Sequence, residues 1–190
     1  MRALLAATAA LLVAATLAGC GVGPPSTDSA KDSGSPQQQA IAPCPSAQPG
    51  GGGLPQVTFG CLGRGPSVDL SSLKGPLLIN LWGGWCVECM KEMPMLAAFY
   101  DKYGNKLPML GIDSGDTVPS VALNVAVTKG EKFPQVVDQA MKLRGTALGY
   151  SGLPATFLLT ASGKVVAVKR SSFDSEGELV GDLDKLGVHL

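Results

Sequence analysis

Trp82-Gly83-Gly84-Trp85-Cys86-Val87-Glu88-Cys89, preceded by the apolar run Leu77-Leu78-Ile79-Asn80-Leu81, decides how the rest of the chain is read. The run has the length and composition of a buried strand, broken only by Asn80. After the cysteines, Met93, Leu96, Tyr100 and Tyr103 recur at helical spacing, with Lys91, Asp101 and Lys102 elsewhere. A strand, a glycine turn and a helix therefore follow in order, with the cysteines at the helix start. Such a pair is either a redox couple or half of a zinc site. In the redox reading Cys86 lies beside the unpaired N–H groups of the first turn, whose positive charge favours its thiolate. Cys86 then attacks a substrate disulfide, and Cys89, one turn inward, resolves the mixed disulfide by attacking Cys86. A zinc site would need Cys44, Cys61, Cys86 and Cys89 as ligands. Cys44 and Cys61 do not form the short knuckle that structural zinc sites use, so no metal is expected.

Outward from this stretch, strands and helices alternate. A short hairpin is expected from Val57–Leu62 and Val68–Leu70, then the strand Leu77–Trp82 after the Gly75-Pro76 turn. The helix Cys86–Tyr103 contains Pro94, which should kink it. Further elements are a strand over Leu107–Ile112, a helix over Val118–Lys129 and an extended piece at Pro134–Val137. A short helix is expected over Asp138–Arg144. Thr156–Leu159 and Val165–Val168 form a hairpin around Ala161-Ser162-Gly163, and Asp174–Leu186 is a final helix. This order indicates an α/β domain with a central mixed sheet flanked by helices and an N-terminal hairpin extension.

The chain has 190 residues, enough for one domain plus extensions, with 45% hydrophobic and 16% charged residues. Fifteen basic residues balance fifteen acidic ones, which gives no electrostatic footprint for nucleic acid. His189 is the single histidine, so a histidine base or a histidine-rich metal site is disfavoured. Residues 1–19 carry Arg2, then an Ala/Leu/Val/Thr run ending in Leu17-Ala18-Gly19, the marks of a secretory signal. The apolar run, about 16 residues, is shorter than the ~20 that a spanning helix needs. Leu17-Ala18-Gly19-Cys20 resembles the bacterial lipoprotein signal, which implies a lipidated Cys20 and an anchor of two or three acyl chains. Residues 20–43 are rich in Pro, Ser, Gly, Gln and Asp, and read as a flexible tether of ~25 Å typical span. The domain is placed at residues 44–190. Of five cysteines, one is then lipidated and two lie at the helix start. In an exported chain the remaining Cys44 and Cys61 are expected to form a structural disulfide.

Asn80 through Pro94 resembles the active-site signature of the thioredoxin superfamily, and within it the membrane-tethered TlpA/ResA-like branch of extracytoplasmic thiol-disulfide oxidoreductases. Gly152-Leu153-Pro154-Ala155-Thr156-Phe157-Leu158-Leu159 resembles the second family signature, a cis-proline at the start of a strand. The resemblance covers roughly residues 55–188 and implies a thioredoxin-like fold with Pro154 facing the cysteine pair. It further implies that Leu153 pairs with an extended substrate segment, in the manner of strand addition. Glu92 occupies the position at which this branch carries a glutamate near the cysteines. A partly buried carboxyl there would exchange a proton with Cys89. Thioredoxin itself has an acidic residue near the place of Asn80, which cannot do that work. Trp82 and Trp85 are expected as packing walls, with Trp85 also meeting substrate. Glu88 is expected in solvent, where its charge near Cys86 leans the couple towards reductant.

The function so implied is reduction of disulfides in exported proteins at the extracytoplasmic face of the bacterial cell membrane, by a lipid-anchored monomer. The Cys86–Cys89 disulfide serves as the redox group, without a further cofactor. Its partners would be exported protein thiols and disulfides, with apocytochrome c one client class, and a membrane electron donor. A disulfide-forming oxidase is the alternative. A lipoprotein whose cysteine pair is only structural or holds a metal is the third reading.

Overall fold

The computed structural model describes residues 34–48, 52–146 and 148–190. The expected signal over 1–19, the lipidation site Cys20 and the tether up to residue 33 lie outside the described residues.

The centre of the fold is β3 (Leu77–Trp82), buried at every position. Its alternate side chains enter two different cores, which is why the sequence is apolar throughout instead of alternating. Leu77, Ile79 and Leu81 join Leu110, Ile112, Val136 and Phe157 on one face. On the other, Leu78 packs with Leu96, Phe99, Leu107, Phe173, Leu179 and Leu183. The remaining strands are β1 (Thr58–Cys61), β2 (Val68–Asp69), β4 (Met109–Ser114), β5 (Gln135–Asp138), β6 (Ala155–Leu159) and β7 (Val165–Lys169). They form one seven-stranded sheet in the order β2-β1-β5-β4-β3-β6-β7. The pairs β3–β4 and β4–β5 are parallel, and β1, β6 and β7 pair antiparallel. Helices α2 (Val87–Tyr103), α3 (Pro119–Thr128) and α4 (Glu176–Lys185) accompany the sheet. This is the thioredoxin-like mixed sheet with an N-terminal β1–β2 hairpin that the sequence implied.

Several expectations change in detail. The tether was expected to reach residue 43, but residues 34–43 pack onto the domain. Ser35 and Gln38 form a capping box on the short helix α1 (Pro36–Ala40). Ile41 is 1% exposed in a cluster with Leu62, Trp82, Ala122 and Leu123. The Ala42 N–H donates to the Lys132 carbonyl at 2.7 Å. One apolar side chain in a polar segment suffices because the Cys44–Cys61 disulfide holds the segment nearby. The short helix expected over Asp138–Arg144 is instead a 3-10 turn, Lys142–Gly145. Asp138 ends β5, and its carboxylate accepts the N–H groups of Lys142 and Leu143 at 2.8 and 3.0 Å, a local bond that competes with an α-helix. Strand β4 starts at Met109 instead of Leu107, because the Leu107 N–H is still bonded to Tyr103 at the end of α2 and Pro108 has no N–H to give. Helix α2 stays one helix through Pro94. The Gly75–Pro76 turn is cis.

Candidate active site

The strand β3 ends at Trp82, and Gly83-Gly84-Trp85 turns the chain into α2. A Cβ at residue 83 would lie 2.7 Å from the Trp85 indole nitrogen and 3.0 Å from the Ser114 carbonyl, so the close turn requires glycine. The turn is fixed to the end of β4 and the loop after it by two bonds. The Gly84 N–H donates to Asp116 Oδ2 at 2.6 Å, and Trp85 Nε1 donates to the Ser114 carbonyl at 3.0 Å. Cys86 is the N-cap of α2, and its Sγ accepts the Cys89 N–H at 3.1 Å. Sulfur at that position faces the positive end of the helix, the placement that favours a thiolate once the bond is reduced. Cys86 and Cys89 are joined in a disulfide, with Cα atoms 5.3 Å apart. Cys86 is 6% exposed and Cys89 is fully buried, so an incoming thiol or disulfide meets Cys86 first.

Of the other singled-out residues, Leu153 and Trp82 share the cluster of this pair. Leu153 is half-buried against the cluster holding Cys86, Cys89 and Met93, and the Leu153–Pro154 bond is cis. Trp85 and Val87, on either side of Cys86, are 53% and 60% exposed. Trp82 differs from Trp85: it is fully buried and donates Nε1 to Gln135 Oε1 at 3.0 Å, so it is a wall beneath the site and Trp85 a surface at its rim. Glu88 is exposed as expected but pairs with Lys91 at 2.7 Å. That neighbouring cation offsets the charge on which the lean towards reductant rested. Cys44 and Cys61 form the second disulfide, between the segment after α1 and β1.

Glu92 is 2% exposed, on the side of α2 that faces the sheet. One oxygen accepts Asn80 Nδ2 at 3.1 Å and the other accepts the Phe173 N–H at 3.0 Å. Burial raises its carboxyl from 4.5 to about 7, against the opposing pull of the Phe173 and Asn80 bonds and the Lys169 charge. A carboxyl poised near neutrality, three residues beyond Cys89, can take up a proton and return it. Asn80, which cannot exchange protons, orients that carboxyl and also donates to Thr156 Oγ1 at 3.2 Å.

Sequence reasoning missed three further acids. Asp113, fully buried in β4 beside Trp82, is raised from 3.8 to about 9 by burial, with hydrogen bonding and charge from Asp116 and the charge of Asp138 adding to it. Asp116 clamps Gly84. Glu131, 1% exposed, is raised well above its ordinary 4.5 by burial and by the charge of Glu92. Asp113 had a faint signal, a charge directly after the apolar run Leu110-Gly111-Ile112. Glu131 had none, since Lys129-Gly130-Glu131-Lys132 reads as a solvated loop. Among the described residues, no three His, Cys, Asp or Glu side chains are arranged to hold a metal ion, and no helix is long and apolar enough to cross a membrane.

Comparison with known proteins places this geometry. Residues 49–185 match the Redoxin family. The chain is 38% identical to the thiol-disulfide oxidoreductase ResA of Bacillus anthracis over 105 residues, 54% of this chain and 60% of the relative. It is 35% identical to the ResA protein of Bacillus cereus over 125 residues, 65% of this chain and 70% of the relative. The first of these matches thus spans about three-fifths of the relative's length. A DsbF homologue from Corynebacterium diphtheriae superposes with a TM-score of 0.61 at 22% identity, over 76% of this chain and 99% of that one. A secreted Mycobacterium tuberculosis disulfide oxidoreductase superposes with a TM-score of 0.58 at 21% identity, over 68% and 96%. At these identities the structural matches speak for the fold.

Proposed function

The chain belongs to the Redoxin family, in its TlpA/ResA-like thioredoxin branch, and on that premise we propose that it is an extracytoplasmic thiol-disulfide oxidoreductase that reduces disulfides in exported proteins. The observation that carries the proposal is the pairing of a near-surface Cys86 on the N-terminus of α2 with a buried Cys89 and a buried Glu92 poised near neutrality.

The reaction begins with the reduced pair. The Cys86 thiolate attacks one sulfur of a client disulfide, forming a Cys86–client bond and releasing the other client sulfur as a thiolate. Cys89 gives its proton to the Glu92 carboxylate and attacks Cys86 Sγ. The Cys86–Cys89 disulfide forms, and the second client sulfur leaves as a thiolate. The client has gained two electrons and takes its protons from Glu92 or solvent. The disulfide seen here is the form left after this turnover. A membrane electron donor restores the dithiol. Leu153 and the exposed faces of Trp85 and Val87 receive the client segment, Pro154 shapes the rim, and the Cys44–Cys61 disulfide is structural. The signal over 1–19 and a lipidated Cys20 hold the domain at the outer face of the cell membrane, and apocytochrome c is one client class that fits a reductase there. No cofactor beyond the cysteine pair is invoked.

The opposite direction, an oxidase that introduces disulfides, is favoured by one observation: Lys91 offsets the Glu88 charge beside Cys86. Two measurements decide. A Cys89→Ser variant in the native membrane should trap clients on Cys86 as mixed disulfides, and the absence of any trapped client would overturn the catalytic reading. Equilibration of the domain with glutathione should give a potential in the range of reducing thioredoxins, about −270 mV. A value near the strong oxidants, about −120 mV, would reverse the direction.

A further inference from the structure

Asn80, Gly111 and Gln135 are aligned partners on β3, β4 and β5, and Asn80 is in turn aligned with Thr156 on β6. They make one polar row across four strands, in a sheet whose neighbouring positions are apolar. Glu92 reaches this row from α2 through Asn80, and Thr156 closes the Asn80 end. At the other end Gln135 holds two partners: its Oε1 accepts Trp82 Nε1, and its Nε2 donates to Glu131 Oε2 at 2.7 Å. The Gln135 amide lies over Gly111, where any Cβ would overlap it, so the row is a built arrangement that glycine makes room for. Two acceptor atoms in it have no partner, Asn80 Oδ1 and Glu131 Oε1, and both residues are at most 1% exposed. A buried carboxyl with one oxygen so placed is accommodated best when it carries a proton.

We propose that Glu131 is a second proton-binding group of the redox site, a positioning residue that acts through Glu92 and whose proton occupancy is tied to the redox state of Cys86–Cys89. The inference rests on the reading of that pair as a thiol-disulfide exchanger. The charged groups facing the two carboxyls are few. Glu92 faces Lys169 of β7 and the Phe173 N–H before α4, the charge of Glu92 bears on Glu131, and the two carboxyls are bonded to the same row, at Asn80 and at Gln135. The Ala126 carbonyl, in α3, accepts the Glu131 N–H. The oxidised pair carries no charge. Its reduction by two glutathione thiols gives two cysteine thiols and one glutathione disulfide, and any thiolate formed from them adds negative charge next to Glu92. That charge holds protons on both carboxyls more tightly. At a pH where Glu131 has begun to ionise in the oxidised protein, reduction therefore draws an additional proton from solvent onto it. By linkage, ionised Glu131 opposes reduction.

The test is the equilibrium constant for reduction by glutathione, followed from neutral to strongly alkaline pH in the wild-type full chain and in Glu131→Gln. Glutamine keeps the shape and the bond from Gln135 but holds no titrating proton. The ratio of the wild-type to the variant constant should fall about fivefold across that range, the low end of ordinary site–site coupling. A ratio that stays constant with pH overturns the inference. The wild-type protein supplies a second readout, independent of how the variant folds. The carbon-13 resonance of the Glu131 carboxyl should titrate at higher pH in the reduced protein than in the oxidised one, and equal midpoints also overturn it. A wild-type protein that exchanges nothing with glutathione would overturn the functional reading and this inference with it. Exchange with a flat ratio would overturn the inference alone.

Discussion

The two disulfides are the same bond in different surroundings. Cys44, 5% exposed, lies among Leu54, Phe59 and Val68, and its bond to Cys61 ties the segment after α1 to β1. Cys86–Cys89 sits on a helix N-terminus, with Glu92 a turn further along α2 and a polar row beneath. A cysteine exchanges disulfides when its thiolate is stabilised and its proton has somewhere to go. The second pair has both provisions. The first has an apolar setting and a closed loop, which suit holding the chain together.

The sharpest way to break this contrast is to remove each sulfur pair in turn. Cys86→Ser should lower disulfide reductase turnover by ~10³-fold or more, since the one cysteine left at the site, Cys89, is fully buried, and a coupled insulin-reduction assay reads it. Turnover surviving in this variant would mean that Cys89 reaches the client directly or that Cys44 and Cys61 take part. The double variant Cys44→Ser, Cys61→Ser should keep its turnover at temperatures where it is folded. It should lose about 3 kcal/mol of stability in urea unfolding, the chain-entropy value for a loop of this size. Lost turnover in the folded double variant would dissolve the division between a structural and a redox bond.

The comparison is sharpened by the acids. Glu92→Gln should slow the resolving step by ~10²-fold, the low end for a positioned acid–base group. In the wild type that step should accelerate as pH rises through about 7, where Glu92 becomes a carboxylate able to accept the Cys89 proton, and the variant should lack this rise. Stopped-flow following of Trp85 and Trp82 fluorescence can monitor it. The smallest effect is on stability. Asp113 binds its proton more tightly folded than unfolded, so the stability it provides is complete below 3.8 and is lost as pH rises from there to about 9. Asp113→Asn, which cannot ionise, should remove this loss and raise stability at neutral pH by on the order of 1 kcal/mol or more. Urea midpoints that remain equal at neutral and acid pH would show that Asp113 is not held protonated in the fold.

Much of the architecture could be read locally. The apolar run Leu77–Leu81, the glycine turn and the helical spacing after Cys86 specify β3 and α2 within a residue, because strand burial and helix amphipathicity are written in the period of the side chains. Cys86, Cys89 and Pro154 were legible for a similar reason: each lies in a short motif whose residues are neighbours in the chain. The local reading failed where a side chain from elsewhere intervened. Asp138 captured the N–H groups of Lys142 and Leu143 and turned an expected helix into a 3-10 turn. Ile41 found a pocket against Trp82 and α3 and shortened the tether.

By itself, then, the sequence determined the order of the elements, the cysteine pair at the start of α2 and the glutamate three residues beyond it. Tertiary structure alone decided which acids are buried. Glu131 sits in a loop that reads as solvated, yet it is buried, with its N–H bonded to Ala126 of α3 and its carboxyl held by Gln135. Asn80, Gly111, Gln135 and Thr156 become one row only when four strands align. The physical reason is that periodicity and capping depend on neighbours in the chain. Desolvation depends on what folds over a residue, and desolvation is what raises the carboxyls of Glu92, Asp113 and Glu131.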